Sequence, residues 1–367
     1  VPIFGKEVVG MLKSLQRKEL QLTDRDLEAM VSLYHNSILA AGHLKNLFWE
    51  GRQYGYLRLR MLDAAGYVKT FPFKEKLPGR KRKKRKLTSF YYLTRRGLEA
   101  VQNVIPEPLP PARRPVSSKK LYELLQMGEL WCTLLEKGAI ADPGQWLPSR
   151  LAKHRLGLPA YVPLHCVVLP DSGEYTALYY VPREADRRAI NLLHNFLPRV
   201  AEAGVPRHVL VCADLRAAAR TFEVFTRRFS SARVFVQTHD QAREVLPLVL
   251  AGNREAPYRE VTGRLQRLFG EVKLQPAGPL SPGPLYFEFR GRRLFHVYVT
   301  ELITGDVSQL ARLVHMVPQP ELDPVYLYVP SLRFFNAVRK LLPADLTWLR
   351  LVLRDRPPGE DVIREVQ

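Results

Sequence analysis

Seven consecutive cations, Arg80, Lys81, Arg82, Lys83, Lys84, Arg85 and Lys86, stand between two short segments rich in aromatic and β-branched residues, 67–73 (YVKTFPF) and 87–93 (LTSFYYL). Like charges at this density repel one another and disfavour packing in the free protein, so the stretch reads as an exposed loop, although such a run taken alone could equally be a localisation tag or a solvated loop. The flanking compositions favour extended chain. A strand over 67–73, a loop over 74–86 and a strand over 87–93 together predict a hairpin with a basic tip.

The residues upstream predict three helices. Thr23 can cap the first, with Asp24 and Asp26 in its opening turn, where carboxylates suit the helix dipole. Leu27, Met30, Val31 and Tyr34 then recur at helical spacing up to about Asn36. A second helix over 40–49 would bury Leu44, Leu47 and Phe48. Gly51 breaks the chain, a third helix covers 52–65, and Gly66 ends it in the position that favours glycine. After the hairpin, Thr94 caps a fourth helix over 95–104. Three helices, a hairpin and a closing helix predict a winged helix over residues 1–104.

On the third helix, Arg52, Gln53, Tyr56, Arg60 and Asp63 fall in one stripe at 100° per residue, with Tyr54, Leu57, Met61 and Ala65 mainly opposite. Arg, Gln and Tyr side chains on one helix face can enter a major groove and meet base edges and phosphates. A solvated face of an ordinary helix would look similar. The basic loop would sit at the wing tip and pair with phosphates, releasing counterions, so that binding weakens steeply with salt.

Charge distribution points the same way. The formal net charge is +20. Residues 1–120 hold 25 Lys and Arg against 10 Asp and Glu, whereas the rest holds 31 against 26. A basic first third joined to a near-balanced remainder is the footprint of a polyanion-binding module attached to something else. No apolar run reaches the roughly 20 residues needed to span a membrane, and charge breaks up the N-terminal segment too often for a secretory signal. Cys132, Cys166 and Cys212 are odd in number and lack metal-type spacing, which suggests buried thiols in a reducing compartment. The expectation is a cytoplasmic, nucleoid-associated protein without a membrane partner.

Residues 105–118 are proline-rich and read as a linker. An amphipathic helix over 119–137 follows, with Leu121, Leu124, Leu125, Leu130, Leu134 and Leu135. It is assigned to a first α/β lobe, 119–250, and a second lobe covers 251–367. Strands and helices alternate beyond about residue 145. Elements 177–181, 187–203, 208–213, 215–229 and 233–238 correspond in order to 294–300, 306–316, 325–329, 332–342 and 347–353. Sequence matches at offsets of 118, 116 and 117 residues, with Leu215 against Leu332, predict two related lobes.

The segments FYYLTRRGLEAV, LTDRDLEAMVSLYHNSILAAGHLKNLFW and MLDAAGYV resemble the replication-relaxation family of bacteria and their mobile elements, most closely over residues 22–104. That resemblance implies an N-terminal winged helix, a C-terminal α/β domain similar to the restriction-endonuclease fold, and a role in DNA transactions. The fold implied is therefore an α+β winged helix followed by two lobes of a degenerate endonuclease-like fold. An active nuclease needs convergent oxygen ligands for a divalent metal. The positions that should supply them hold Pro163-Leu164 and residues near Tyr180 and Pro182. Asp171 reads as a turn residue, and Glu184 and Asp186 as caps of the next helix. Glu288 and Glu301 bracket a hairpin, but no lysine follows Glu301 at the needed spacing. No phosphate-binding glycine loop or close histidine pair is present, and His165 and His296 read as core histidines.

The chain is therefore expected to be a non-catalytic protein, without metal or cofactor, that binds specific double-stranded DNA. Its DNA contacts would be Arg52, Gln53, Tyr56, Arg60 and Arg80 through Lys86. The lobes would serve for homodimerisation or for docking a transcription, replication or transfer protein. Transcription regulation is the leading role, with plasmid or mobile-element replication next. One alternative is a metal-dependent DNA nuclease with a rearranged site using Asp171, Glu174 or Glu288. Another is an adaptor that presents its basic loop to RNA or to an acidic protein.

Overall fold

The computed structural model describes residues 20–49, 52–74, 87–102, 104–105, 118–170, 174–227, 232–251, 255–269, 272–276, 285–289, 296–315, 325–342, 349–355 and 364–365. The chain is a mixture of helices and three β-sheets. It divides into two compact units, residues 1–151 and 152–367.

The first unit opens with α1 (Asp24–Asn36), β1 (Leu39–Ala40), α2 (Ala41–Phe48) and α3 (Arg52–Ala64). The strands β2 (Val68–Lys74) and β3 (Leu87–Leu93) and the helix α4 (Arg95–Val101) follow. Thr23 caps α1 in a reciprocal capping box with Asp26. Gly66, at φ +78°, takes the left-handed turn after α3. The hairpin is in register from Val68↔Leu93 to Lys74↔Leu87. Its inner strand also pairs with β1, giving the order β1-β3-β2. A two-residue strand such as β1 is too short to announce itself in sequence.

The predicted apolar face of α1 is rotated. Leu27, Val31 and Tyr34 are half-buried, whereas Ala29, Met30 and Leu33 are buried alongside Asp26, Ser32 and Asn36. Polar residues occupy core positions because they are hydrogen-bonded: Ser32 donates to the carbonyl of Glu28 and Asn36 to that of Ser32.

The amphipathic helix α5 (Ser118–Glu136) belongs to this first unit, not to the first α/β lobe as the sequence suggested. Leu121 joins Ile38, Ala40 and Phe90 in one buried cluster, with Leu124, Leu125 and Phe71 packed against it. A Cβ on Gly128 would come within 3.0 Å of the Leu39 side chain, so the glycine lets α5 lie close to β1. The short strand β4 (Trp146–Pro148) ends the unit, with Trp146 buried. The helix α6 (Ser149–Arg155) spans the division between the units. Nearly all of the expected linker lies outside the described residues.

The second unit holds two lobes built on one plan. In the first, β5 (Cys166–Val168) runs antiparallel to β6 (Thr176–Val181). Parallel strands β7 (Arg207–Cys212) and β8 (Arg233–Thr238) continue the sheet. Helices α7 (Arg187–Glu202) and α8 (Leu215–Thr226) make the crossovers, and α9 (His239–Leu250) follows. In the second, α10 (Glu255–Phe269) precedes β9 (Val272–Pro276) and β10 (Leu285–Phe289), which are antiparallel. Strand β11 (His296–Glu301) is antiparallel to β10, and β12 (Val325–Val329) and β13 (Leu349–Leu353) are parallel to it. Helices α11 (Val307–His315) and α12 (Leu332–Val338) make the crossovers, and β14 (Arg364–Glu365) closes the edge.

The five matched elements expected from the sequence thus recur in the same order and sense. Crossover helices start where short polar side chains satisfy their free amides. Asp186, Asp214 and Ser331 accept from Ala189, Ala217 and Phe334, respectively. Strands β7 and β12 are buried along their whole length, as parallel strands covered on both faces must be. The lobes meet where the Val236 amide donates to the Gly305 carbonyl and Gln237 donates to that of Thr304. A Cβ on Gly305, at φ +76°, would lie 2.1 Å from the Val236 carbonyl oxygen, so no side chain is tolerated at this contact.

Candidate nucleic-acid interface

Helix α3 is held by its inner face, where Leu59 and Leu62 are buried. Gly55 faces α2, and a Cβ there would come within 2.6 Å of Lys45 Cγ and 3.3 Å of Lys45 Cα. The glycine therefore sets a close α2–α3 approach. The same inner side carries a charged pair that sequence reasoning missed. Arg58 Nε donates to both oxygens of Asp26, at 2.8 and 3.0 Å. Its Nη2 donates to Asp26 and, at 2.8 Å, to the Gln21 carbonyl. Burial by itself would raise the Asp26 carboxyl, but the Arg58 and Thr23 hydrogen bonds outweigh it and leave the group below its ordinary value. The signal in sequence was a lone arginine between Leu57 and Leu59 and a carboxylate at the third position of a capped helix.

The outer face carries the predicted stripe. Gln53 and Arg60 are exposed. Tyr56 is half-buried, with Lys45 Nζ 5.9 Å from its ring centroid. Arg52 begins the helix, but its side chain is not among those described. Tyr54, expected opposite the stripe, is 51% exposed. Asp63 is tied down, accepting from Thr70 Oγ1 at 2.5 Å. Arg96 donates to the last-turn carbonyl of Ala65 at 2.7 Å and lies over the Tyr67 ring.

The junction of hairpin and α4 explains the LTRRG segment. Thr94 Oγ1 donates to the carbonyls of Gly66 and Tyr67 and accepts from the Gly97 amide at 3.1 Å. A Cβ on Gly97 would lie 2.0 Å from the Tyr67 carbonyl oxygen. One threonine and one glycine thereby lock the end of α3, the hairpin and α4 together. The basic run from Arg80 to Lys86 lies outside the described residues, between the paired strand ends Lys74 and Leu87.

Among the carboxylates considered for a metal, Glu174 is bound by Arg207 at 3.1 Å and Arg233 at 3.0 Å. Asp186 caps α7, as expected. Asp171 and the Glu288 side chain lie outside the described set. Among the described residues no group of three or more His, Cys, Asp and Glu could hold a metal ion, and no helix is long and apolar enough to cross a membrane. Burial holds the thiols protonated, with Cys212 pushed up to about 12 and Cys166 well above its ordinary value. His208 is buried on β7 within 3.2 Å of the Tyr179 hydroxyl, and desolvation lowers it to about 4, so it is neutral near pH 7. His165 is half-buried, and the His296 side chain is not among those described. No family model, curated protein or solved structure matches this chain.

Proposed function

We propose that residues 1–104 form a winged helix that binds double-stranded DNA, with α3 in the major groove and Arg80–Lys86 as the wing contacting phosphates. The observation that carries this reading is the outer face of α3. Gln53 and Arg60 are exposed beside Tyr56, while the helix is fixed from behind by Leu59, Leu62 and the Arg58–Asp26 pair. A rigid helix with exposed polar side chains on its outer face is the arrangement direct base readout needs. The order of three helices, hairpin and closing helix, and seven cations between paired strands, add support.

The two lobes of the second unit are read as related, degenerate endonuclease-like domains that dimerise or dock a transcription, replication or transfer partner. A cytoplasmic, nucleoid-associated regulator follows from that reading. The test is binding of labelled duplexes tiled across the protein's own gene neighbourhood, against random duplex, at about 0.15 M salt. One tile bound far more tightly than the rest would support a site-specific protein. Uniform, salt-sensitive binding would leave a general DNA-holding role. No binding, or equal binding of duplex RNA, would overturn the proposal.

A further inference from the structure

The second unit contains a cavity of about 610 Å³ between α8 of the first lobe and α12 with the turn that follows it. These helices are equivalents in the two lobes, and equivalent residues line the same space. Arg216 and Arg333 both face it, as do Glu223 and Lys340, each pair 117 positions apart. Arg220 and Arg227 complete a set of five cations around one carboxylate. That carboxylate is already engaged, since Glu223 accepts from Arg187 and, at 3.2 Å, from Arg227. Arg220 donates to the Arg183 carbonyl, and its Nε is buried without a hydrogen-bond partner among the described residues.

Gathering cations around one space costs mutual repulsion unless an anion occupies it, and the buried, unpaired guanidinium N–H of Arg220 adds a desolvation cost. The volume falls within the roughly 300–1,000 Å³ of small-molecule sites. Among the described residues no aromatic side chain lines the cavity. The nearby rings of Phe222 and Phe334 are buried, packing on each other at 5.9 Å. Nothing there offers a stacking platform for a base, whereas guanidinium groups match phosphate oxygens in pairs.

We infer that this cavity is a binding site for closely spaced phosphate groups, whether a free oligophosphate or the backbone of a nucleic-acid strand. The site is independent of the proposed DNA contact in the first unit. The experiment is calorimetric titration of the full chain with inorganic tripolyphosphate at low salt. It is done in a background whose Arg80–Lys86 segment is replaced by neutral residues, so that this segment contributes nothing. Saturable binding is expected, weakened at least about tenfold in a variant combining Arg216→Ala, Arg333→Ala and Lys340→Ala. Those three side chains are exposed, so the variant should melt at the parent's temperature. Arg188→Ala, which removes an exposed cation outside the cavity, should leave binding unchanged. A short duplex or single strand that competes with tripolyphosphate would identify a nucleic-acid backbone as the source. Failure to compete would identify a free oligophosphate. Absence of saturable binding up to about 1 mM, or equal binding by the triple variant, would overturn the proposal.

Discussion

Replacing Arg58 by Met would test what holds the candidate recognition helix in place. The guanidinium makes two bonds to Asp26 through Nε, at 2.8 and 3.0 Å, a third through Nη2, and one to the Gln21 carbonyl at 2.8 Å. Asp26 is fully buried and Arg58 is 7% exposed. Methionine keeps most of the volume but leaves a carboxylate in the core without its cation. Breaking one side of a buried pair costs about 3–5 kcal/mol, because the surviving charge keeps its desolvation penalty. Asp26→Asn should also destabilise, losing the charge while keeping a partial cap on Thr23. The double variant should be less damaged than the sum of the singles by about 1–3 kcal/mol.

Three of the four tryptophans, Trp49, Trp131 and Trp146, are buried in the first unit, so their fluorescence during urea unfolding reports on it. The pair also gives a pH signature. Because the folded Asp26 is depressed, its contribution is present above the ordinary carboxylate value of 3.8 and is lost as pH falls through the lower folded value. The gap between wild type and Arg58→Met should therefore close in acid. Single variants within about 0.5 kcal/mol of wild type, or a gap independent of pH, would refute the reasoning.

Gly97→Ala should destabilise the first unit by about 1–3 kcal/mol or more, since its Cβ would fall 2.0 Å from a backbone oxygen; unfolding at wild-type urea concentration would show that the junction is not tight. Glu301 is buried at the end of β11 and accepts from the Thr304 amide at 2.9 Å, yet burial, its largest influence, raises it to about 7 from 4.5. Its protonated form is favoured in the fold, so its contribution is full below pH 4.5 and lost as pH rises through 7. Glu301→Gln should flatten that decline, by up to about 3 kcal/mol at pH 8, and an unchanged stability profile between pH 5 and 8 would count against it. Neutralising Arg80–Lys86 should weaken binding to every duplex and flatten the salt dependence, and an unaltered salt slope would exclude the phosphate contact. Arg52→Ala or Gln53→Ala should relax sequence preference at a cost of about 1–3 kcal/mol, whereas equal loss on random DNA would make these phosphate contacts.

Caps, turns and strand alternation were legible because they are local. Thr23, Asp186, Gly66 and Thr94 act within a few residues of where they stand. The two-lobe plan was legible because five elements recur in order. The outward placement of Gln53 and Arg60 followed from helical periodicity, but Tyr54 did not, since an aromatic residue carries no mark of whether a neighbour will cover it. The face of α1 was misjudged because Asp26, Ser32 and Asn36 count as polar in sequence yet are buried once their partners arrive.

The chain by itself determined the order of its elements, their ends, and the segregation of positive charge into its first third, all consequences of backbone preference and composition along a few residues. Only the tertiary structure decided that α5 packs on β1 and β3, that Arg58 closes on Asp26, and that equivalent cations of two lobes share one cavity. The pairs Leu121 with Phe90 and Arg58 with Asp26 are each separated by about thirty residues, and the cavity joins helices 117 positions apart. Such contacts depend on how whole faces fit once water is excluded, which no local pattern encodes.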